Sequence, residues 1–284
     1  MAQLLLIIAS ASVRREHGAM ADLRGATTFQ TSAEAYDRHI GRYGPALARA
    51  LIDAANVSAG QRALDIGCGP GALTAALCEV LGPDHVTAID PSEPFVEACV
   101  RRRPGVDVRL GSAESLPFAD HSFDVTLAQL VVNFMSDPRA GVGEMRRVTR
   151  PGGIVAAAVW DYAGEMTVLR RFWDAAVRFD PDAADRDEGR SMPYCTPVDL
   201  ETLWRSAGLL EPATSAIVVD AEYGGFEDLW QSLEHGSGPS TAHAASLPPE
   251  RRVRLRDEFR RLLDAGEGPF RLTARAWSVV GTAP

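Results

Sequence analysis

Ala63-Leu64-Asp65-Ile66-Gly67-Cys68-Gly69-Pro70-Gly71 decides the fold. Residues 62–66 have the pattern of a short strand, which runs straight into a turn with glycines at alternate positions. Glycine tolerates positive φ and lets a ligand lie against bare backbone. Residues 71–81 follow with Leu73, Ala76, Leu77, Val80 and Leu81 at helical spacing, stopped by Gly82-Pro83. A strand, a glycine turn and a helix start with free N–H groups together form a ligand-holding unit. A loop built for a pyrophosphate reads GxGxxG. Here the spacing is GxGxG, and Asp65 stands two positions before the first glycine. Its carboxylate repels a pyrophosphate and attracts the ammonium of an amino-acid moiety.

Working outward, the strand–helix alternation repeats. Residues 85–89, 106–110, 123–129 and 154–160 read as strands. A helix carrying Phe95, Val96, Cys99 and Val100 lies between the first two of these, and another at 137–150 precedes the last, after the turn Pro151-Gly152-Gly153. Such repetition implies a parallel sheet with right-handed crossovers and helices on both faces. The run from Ile154 to Trp160 is almost wholly apolar, as a strand buried on both faces requires. In such sheets ligands bind beyond the carboxyl ends of the strands. The turns after Ile66, Ile89, Leu110 and Gln129 therefore surround one crevice. Residues 213–220 and 270–280 form a final strand pair, one of them antiparallel. Two insertions, 161–196 (Val168, Leu169, Phe172, Trp173, Ala176, Val177) and 222–266 (Phe226, Leu229, Trp230, Leu233, then a charged helix at 249–265), are expected to cover the crevice as a lid, joined by a helix at 44–55. The fold class is thus α/β: a Rossmann-like, mostly parallel seven-stranded sheet with an antiparallel last strand and helical lid insertions. Residues 20–284 form one domain, whose core is about 56–160, 197–220 and 267–281.

Composition bounds the function. The 284-residue chain is 46% hydrophobic and 24% charged, as ordinary globular proteins are. Its net charge of −9 speaks against nucleic acid as partner. The short Arg101-Arg102-Arg103 and Arg251-Arg252 runs read as solvated helix faces. Cys68, Cys78, Cys99 and Cys195 form no CxxC pair, so neither a zinc site nor a disulfide framework is expected, and a reducing, cytoplasmic setting fits. The apolar run Leu4-Leu5-Leu6-Ile7-Ile8-Ala9 is too short to span a bilayer and lacks the basic flank of a secretory signal. Residues 1–19 read as a dispensable extension, with Met20 an alternative start.

Asp90 ends the strand at 85–89. A carboxylate there accepts from both hydroxyls of a ribose, a device of nucleotide-binding sheets. It could instead cap the following helix; its spacing from the glycine loop favours the ribose.

At these residues the chain resembles the class I S-adenosylmethionine-dependent methyltransferases, in the small-molecule subgroup related to ubiquinone and menaquinone biosynthesis. The likeness rests on residues 63–71, on Ala88-Ile89-Asp90-Pro91-Ser92, on the stretch from Gly111 to Asp124, and on the stretch from Glu144 to Gly153. It covers 33–160 well and the tail more loosely. It implies S-adenosylmethionine as cofactor and a small-molecule methyl acceptor that is aromatic, quinone-like or lipid-like, methylated on O, N or C. The resemblance places the cofactor on Tyr36, Arg42, Asp65, Gly67, Cys68, Gly69, Gly71, Asp90, Pro91, Ser112, Ala113, Glu114 and Gln129. Ala113 and Glu114 would flank the adenine, and Ser112 departs from the Asp that relatives often carry. Tyr36 and Arg42 would close over the methionine end, Arg42 through a forked contact with its carboxylate; an inward-packed amphipathic helix is the competing reading. Cys68 reads as passive. No metal is expected. The Asn-Pro-Pro-Tyr type motif of nucleobase methylation is absent. No catalytic base is singled out: a surface or packing role is favoured for His39 and His235. Two other classes compete: a non-catalytic cofactor-binding protein, and an NAD(P)-dependent oxidoreductase, which the loop spacing opposes.

Overall fold

The computed structural model describes residues 32–236 and 238–284. The extension 1–19, its apolar run and Met20 lie outside the described residues.

Helix α1 (Ala33–Arg38) and a 3₁₀ turn (Ile40–Tyr43) lead into α2 (Gly44–Ala54). Then come β1 (Ala63–Ile66), α3 (Ala72–Leu81), β2 (Val86–Asp90), α4 (Glu93–Arg102), β3 (Asp107–Leu110), β4 (Phe123–Gln129), α5 (Pro138–Val148) and β5 (Thr149–Trp160). The first insertion holds α6 (Thr167–Phe179) and the short α7 (Glu188–Ser191), and α8 (Pro197–Ser206) leads into β6 (Leu210–Tyr223). The second insertion holds α9 (Phe226–Glu234), α10 (Pro239–Ser246) and α11 (Pro249–Leu263), before β7 (Phe270–Thr282).

The seven strands lie in the order β3-β2-β1-β4-β5-β7-β6. β1 to β5 pair in parallel, and β7 runs antiparallel between β5 and β6. Chain order reverses at β1, so the connections leaving the paired strands β1 and β4 run to opposite sides and leave a crevice at their carboxyl ends. Both are buried almost throughout, as strands covered on both faces must be.

Several boundaries differ from the sequence reading for physical reasons. His85 closes a 3₁₀ turn (Pro83–His85) before β2 begins. Pro151-Gly152-Gly153 is the bulged start of β5 rather than a turn before it, because Gly152 N–H donates to Ala283 and Gly153 accepts from Ala283 N–H. β6 extends beyond 213–220 because β7 pairs with it from Leu210 to Tyr223. Helix α2 does not join the lid: it packs on α3 and on β5, β6 and β7, with Leu47 and Leu51 fully buried. The two insertions instead form one helical layer. Phe172 of α6 meets Phe259 of α11 edge-on at 5.8 Å, and Trp173 packs on His243 of α10 at 5.4 Å.

Candidate active site

The loop after β1 is held by its neighbour strand. Gly67 and Cys68 N–H both donate to Ile89 C=O, at 2.8 and 3.1 Å. Gly67 (φ +65°) cannot be replaced without loss: a Cβ there would run into the Val131 methyls. At Gly69 (φ +52°) a Cβ would meet nothing within 4 Å, so the backbone is open on that side. Gly71 (φ +94°) starts α3 and packs against the Cys99 thiol.

Two carboxylates flank this loop. Asp65 is 1% exposed; its Oδ2 accepts from Thr74 Oγ at 2.6 Å, while Oδ1 is buried with no partner. Burial pushes its pKa up to about 7, against the pull of the Thr74 hydroxyl. A buried acceptor without a donor is rare in proteins, so this oxygen fits an incoming ammonium. Asp90 accepts from Gly69 N–H and from Ser92 N–H, both at 2.8 Å. It therefore braces the glycine loop and the start of α4 at once, and burial raises its pKa against those two donors. A carboxylate has about four lone-pair sites, so two remain for a diol. Pro91 follows as an exposed bend.

Beyond β3, Ser112 Oγ donates to Glu114, and Glu114 accepts from Ser136 N–H at 2.8 Å and Asp137 N–H at 3.4 Å. Burial works against its charge, but these donors hold its pKa below the usual range. Glu114 thus ties this loop to the one before α5, and Ala113 is buried beneath it. Gln129 at the end of β4 donates to Gly44 C=O at 3.2 Å, leaving Oε1 buried and unpartnered.

The N-terminal segment crosses this end of the sheet. Tyr36 packs edge-on to Phe95 at 5.7 Å, and burial, then Asp37 and Asp90, raise its pKa. Arg102 joins Asp37 at 2.7 Å to Pro70 C=O of the loop, fastening α1 over it. Arg42 spends its fork on Asp228 of α9, at 2.9 and 2.5 Å, and stacks over Tyr223. The structure therefore packs Tyr36 on Phe95 of α4 and turns Arg42 to the lid.

A family model described as a methyltransferase domain matches residues 64–157, the span from β1 to β5. Over that third of its length the chain is similar to methyltransferase domains. Among relatives, the domain is similar to a demethylmenaquinone methyltransferase of Renibacterium salmoninarum, 32% identical over 51% of this chain and 61% of the relative. A malonyl-[acyl-carrier protein] O-methyltransferase of Pseudescherichia vulneris is 28% identical over 67% of this chain and 72% of the relative. The chain spans between 34% and 61% of the length of the first curated relatives it matches. Among solved structures, a candidate type II methyltransferase from Anaeromyxobacter dehalogenans superposes with a TM-score of 0.61 at 22% identity, covering 85% of this chain and 97% of that one. A Haemonchus contortus phosphoethanolamine N-methyltransferase 2, solved with S-adenosylhomocysteine, reaches 0.53 at 15% identity, covering 84% and 52%. These structural likenesses are of fold.

Around the crevice stand residues that spacing alone did not single out. Thr74 holds Asp65, and Val131 seals Gly67. Leu130 adopts φ +63°, a costly left-handed turn for a branched residue. That kink starts the 3₁₀ turn Val132–Phe134 and buries Asn133. A single amide in the apolar run Leu130-Val131-Val132-Asn133-Phe134 was the available sign. No cluster of metal-binding side chains occurs among the described residues.

Proposed function

We propose that this chain moves the methyl group of S-adenosylmethionine to a small-molecule acceptor. One observation carries the reading: two buried carboxylates, Asp65 and Asp90, end adjacent parallel strands on either side of a glycine loop whose backbone is open at Gly69. In it, Asp65 Oδ1 receives the cofactor's ammonium and Asp90 its ribose hydroxyls, with Ser112 and Ala113 at the adenine and Gln129 and Tyr36 toward the methionine end. The cofactor supplies an electrophilic sulfonium methyl. The protein's work is then to place the acceptor in line and keep water out, and placement alone can contribute on the order of 7–11 kcal/mol. The names of the relatives support an acceptor that is quinone-like or an acyl group on a carrier. No helix among the described residues is long and apolar enough to cross a membrane, and the four cysteines are free, which supports a cytoplasmic setting.

Transfer of a tritiated methyl group into a cell extract, followed by fractionation, tests turnover and isolates the acceptor. Calorimetry should show S-adenosylhomocysteine binding and no NADH binding. Hydrogen bonds to a charged acceptor contribute roughly 1.5–3 kcal/mol each, so Asp90→Ala should weaken S-adenosylhomocysteine by about tenfold or more. Unchanged affinity in that variant removes the assignment.

A further inference from the structure

Helix α6 has a second face with its own chemistry. Leu169, Phe172 and Ala176 are buried within the lid. At helical spacing, Arg170, Arg171, Asp174 and Arg178 fall on the opposite side. That side does not simply meet open solvent. Together with Gly189 and Arg190 of α7 and Leu262 of α11, it lines a cavity of about 500 Å³. Pockets for small molecules run to roughly 300–1,000 Å³, so this one holds more than a bare ion. None of the residues assigned to the cofactor lines it.

The cavity is positive on a chain whose net charge is −9: four arginines line it against two aspartates, Asp174 and Asp187. Asp187 has little left to offer. It takes both arms of the Arg170 fork, one of them at 2.8 Å, and Gly189 N–H at 2.7 Å. That fills three of a carboxylate's roughly four lone-pair sites. Arg170 Nε–H is still buried without an acceptor. Arg178 meets Glu258 at 2.5 Å, but Glu258 also takes the fork of Arg261. Counting that pair leaves the surplus of two positive charges unchanged. Arg171 reaches Asp174 only at 3.4 Å, with both side chains half-exposed. Arg190 is bound through its backbone N–H on Asp187 C=O, and its side chain joins no ion pair among the described residues. The two arginines with the most unspent N–H groups thus come from different helices and face one space.

We propose that this cavity binds a small soluble phosphate monoester, whose phosphate lies between Arg171 and Arg190. A guanidinium fork matches phosphate oxygens two at a time. A monoester carries close to two negative charges at neutral pH, which cancels the surplus; a carboxylate cancels half of it. Val177 and Leu262 give the cavity an apolar wall for the group the phosphate is attached to. A walled cavity of this size suits a free molecule better than a headgroup in a flat bilayer. The bound ester would join α6 to α7 across the mouth of the cavity. The site lies outside the methyl-transfer reading and stands or falls without it.

Calorimetry on the full chain tests it, with phenyl phosphate, inorganic phosphate, phenylacetate and benzylamine as probes. Phenyl phosphate should bind one per chain, about tenfold tighter than inorganic phosphate or phenylacetate, and benzylamine not at all. Arg171→Ala and Arg190→Ala should each weaken phenyl phosphate by about tenfold or more, because each removes a charge-assisted contact. Arg49→Ala, an exposed arginine on α2, should leave its affinity within about twofold. Thermal melts that match the parent show that the variants are folded. Hydrogen exchange in α7 should slow when phenyl phosphate binds. No binding at millimolar phenyl phosphate, or equal affinity in the parent and both cavity variants, overturns the site. Phenylacetate binding as tightly overturns the doubly charged class, and inorganic phosphate binding as tightly overturns the apolar group. Capture by phosphatidylcholine vesicles containing phosphatidic acid, without binding of phenyl phosphate, overturns the soluble ester in favour of a membrane surface.

Discussion

On the proposed reading, Asp65 would tie cofactor binding to a proton. Its pKa in the folded chain is about 7, against an ordinary 3.8. Between about pH 4 and 7 the folded form thus holds a proton that the unfolded form has lost, and this group's contribution to stability falls as pH rises through that window. An ammonium on Oδ1 requires the ionised carboxylate, so binding must expel the proton. S-adenosylhomocysteine affinity should therefore rise between pH 5.5 and 7, by up to about tenfold per unit, and level off above. Calorimetry in buffers of different ionisation enthalpy should show proton release below pH 7. Asp65→Asn should flatten both; a slope that survives it places the proton elsewhere. The two acidic strand ends were legible because a carboxylate beside alternating glycines has few other uses. Thr74 and Val131 were not, since a residue that holds or seals a loop shows its value only once the elements around it have closed.

At the scale of elements, the Arg42–Asp228 pair is a latch between the N-terminal segment and the lid. Asp228 is held at 2.9 Å by Gly224 N–H as well, so the latch also braces the turn that begins α9. Both partners are partly exposed, 21% and 39%, so global stability should change by less than about 1 kcal/mol when either is removed. Local opening is the sensitive readout. Hydrogen exchange across Phe226–Glu234 should quicken alike in Arg42→Ala and Asp228→Ala; acceleration in only one breaks the latch reading. The strands were readable from apolar runs punctuated by glycine and proline. Helix α2 was misplaced because its spacing announces that one face is buried and is silent about what covers it. The start of β5 was missed because Gly152 and Gly153 gain their partner from Ala283, far along the chain.

Among the described residues of the whole molecule, β6 meets the sheet through β7 and no other strand. A chain cut before Phe270 should lose cooperative thermal unfolding and bind hydrophobic dye, whereas a two-state melt in that truncation would show the sheet closing without β7. In the intact protein, S-adenosylhomocysteine at about 100 times its dissociation constant should add about 2.7 kcal/mol of stability. The position of β7 also orders events at the ribosome. Residues 64–157 can be assembled as they emerge, but β6 must wait through some fifty further residues, several seconds of translation at about 5–20 residues per second, with its ladder groups unclaimed. The β7-facing edges of β5 and β6 are thus both made before their partner, and along β6 the side chains of Glu211, Thr214, Ser215, Asp220 and Glu222 guard against pairing with another nascent chain.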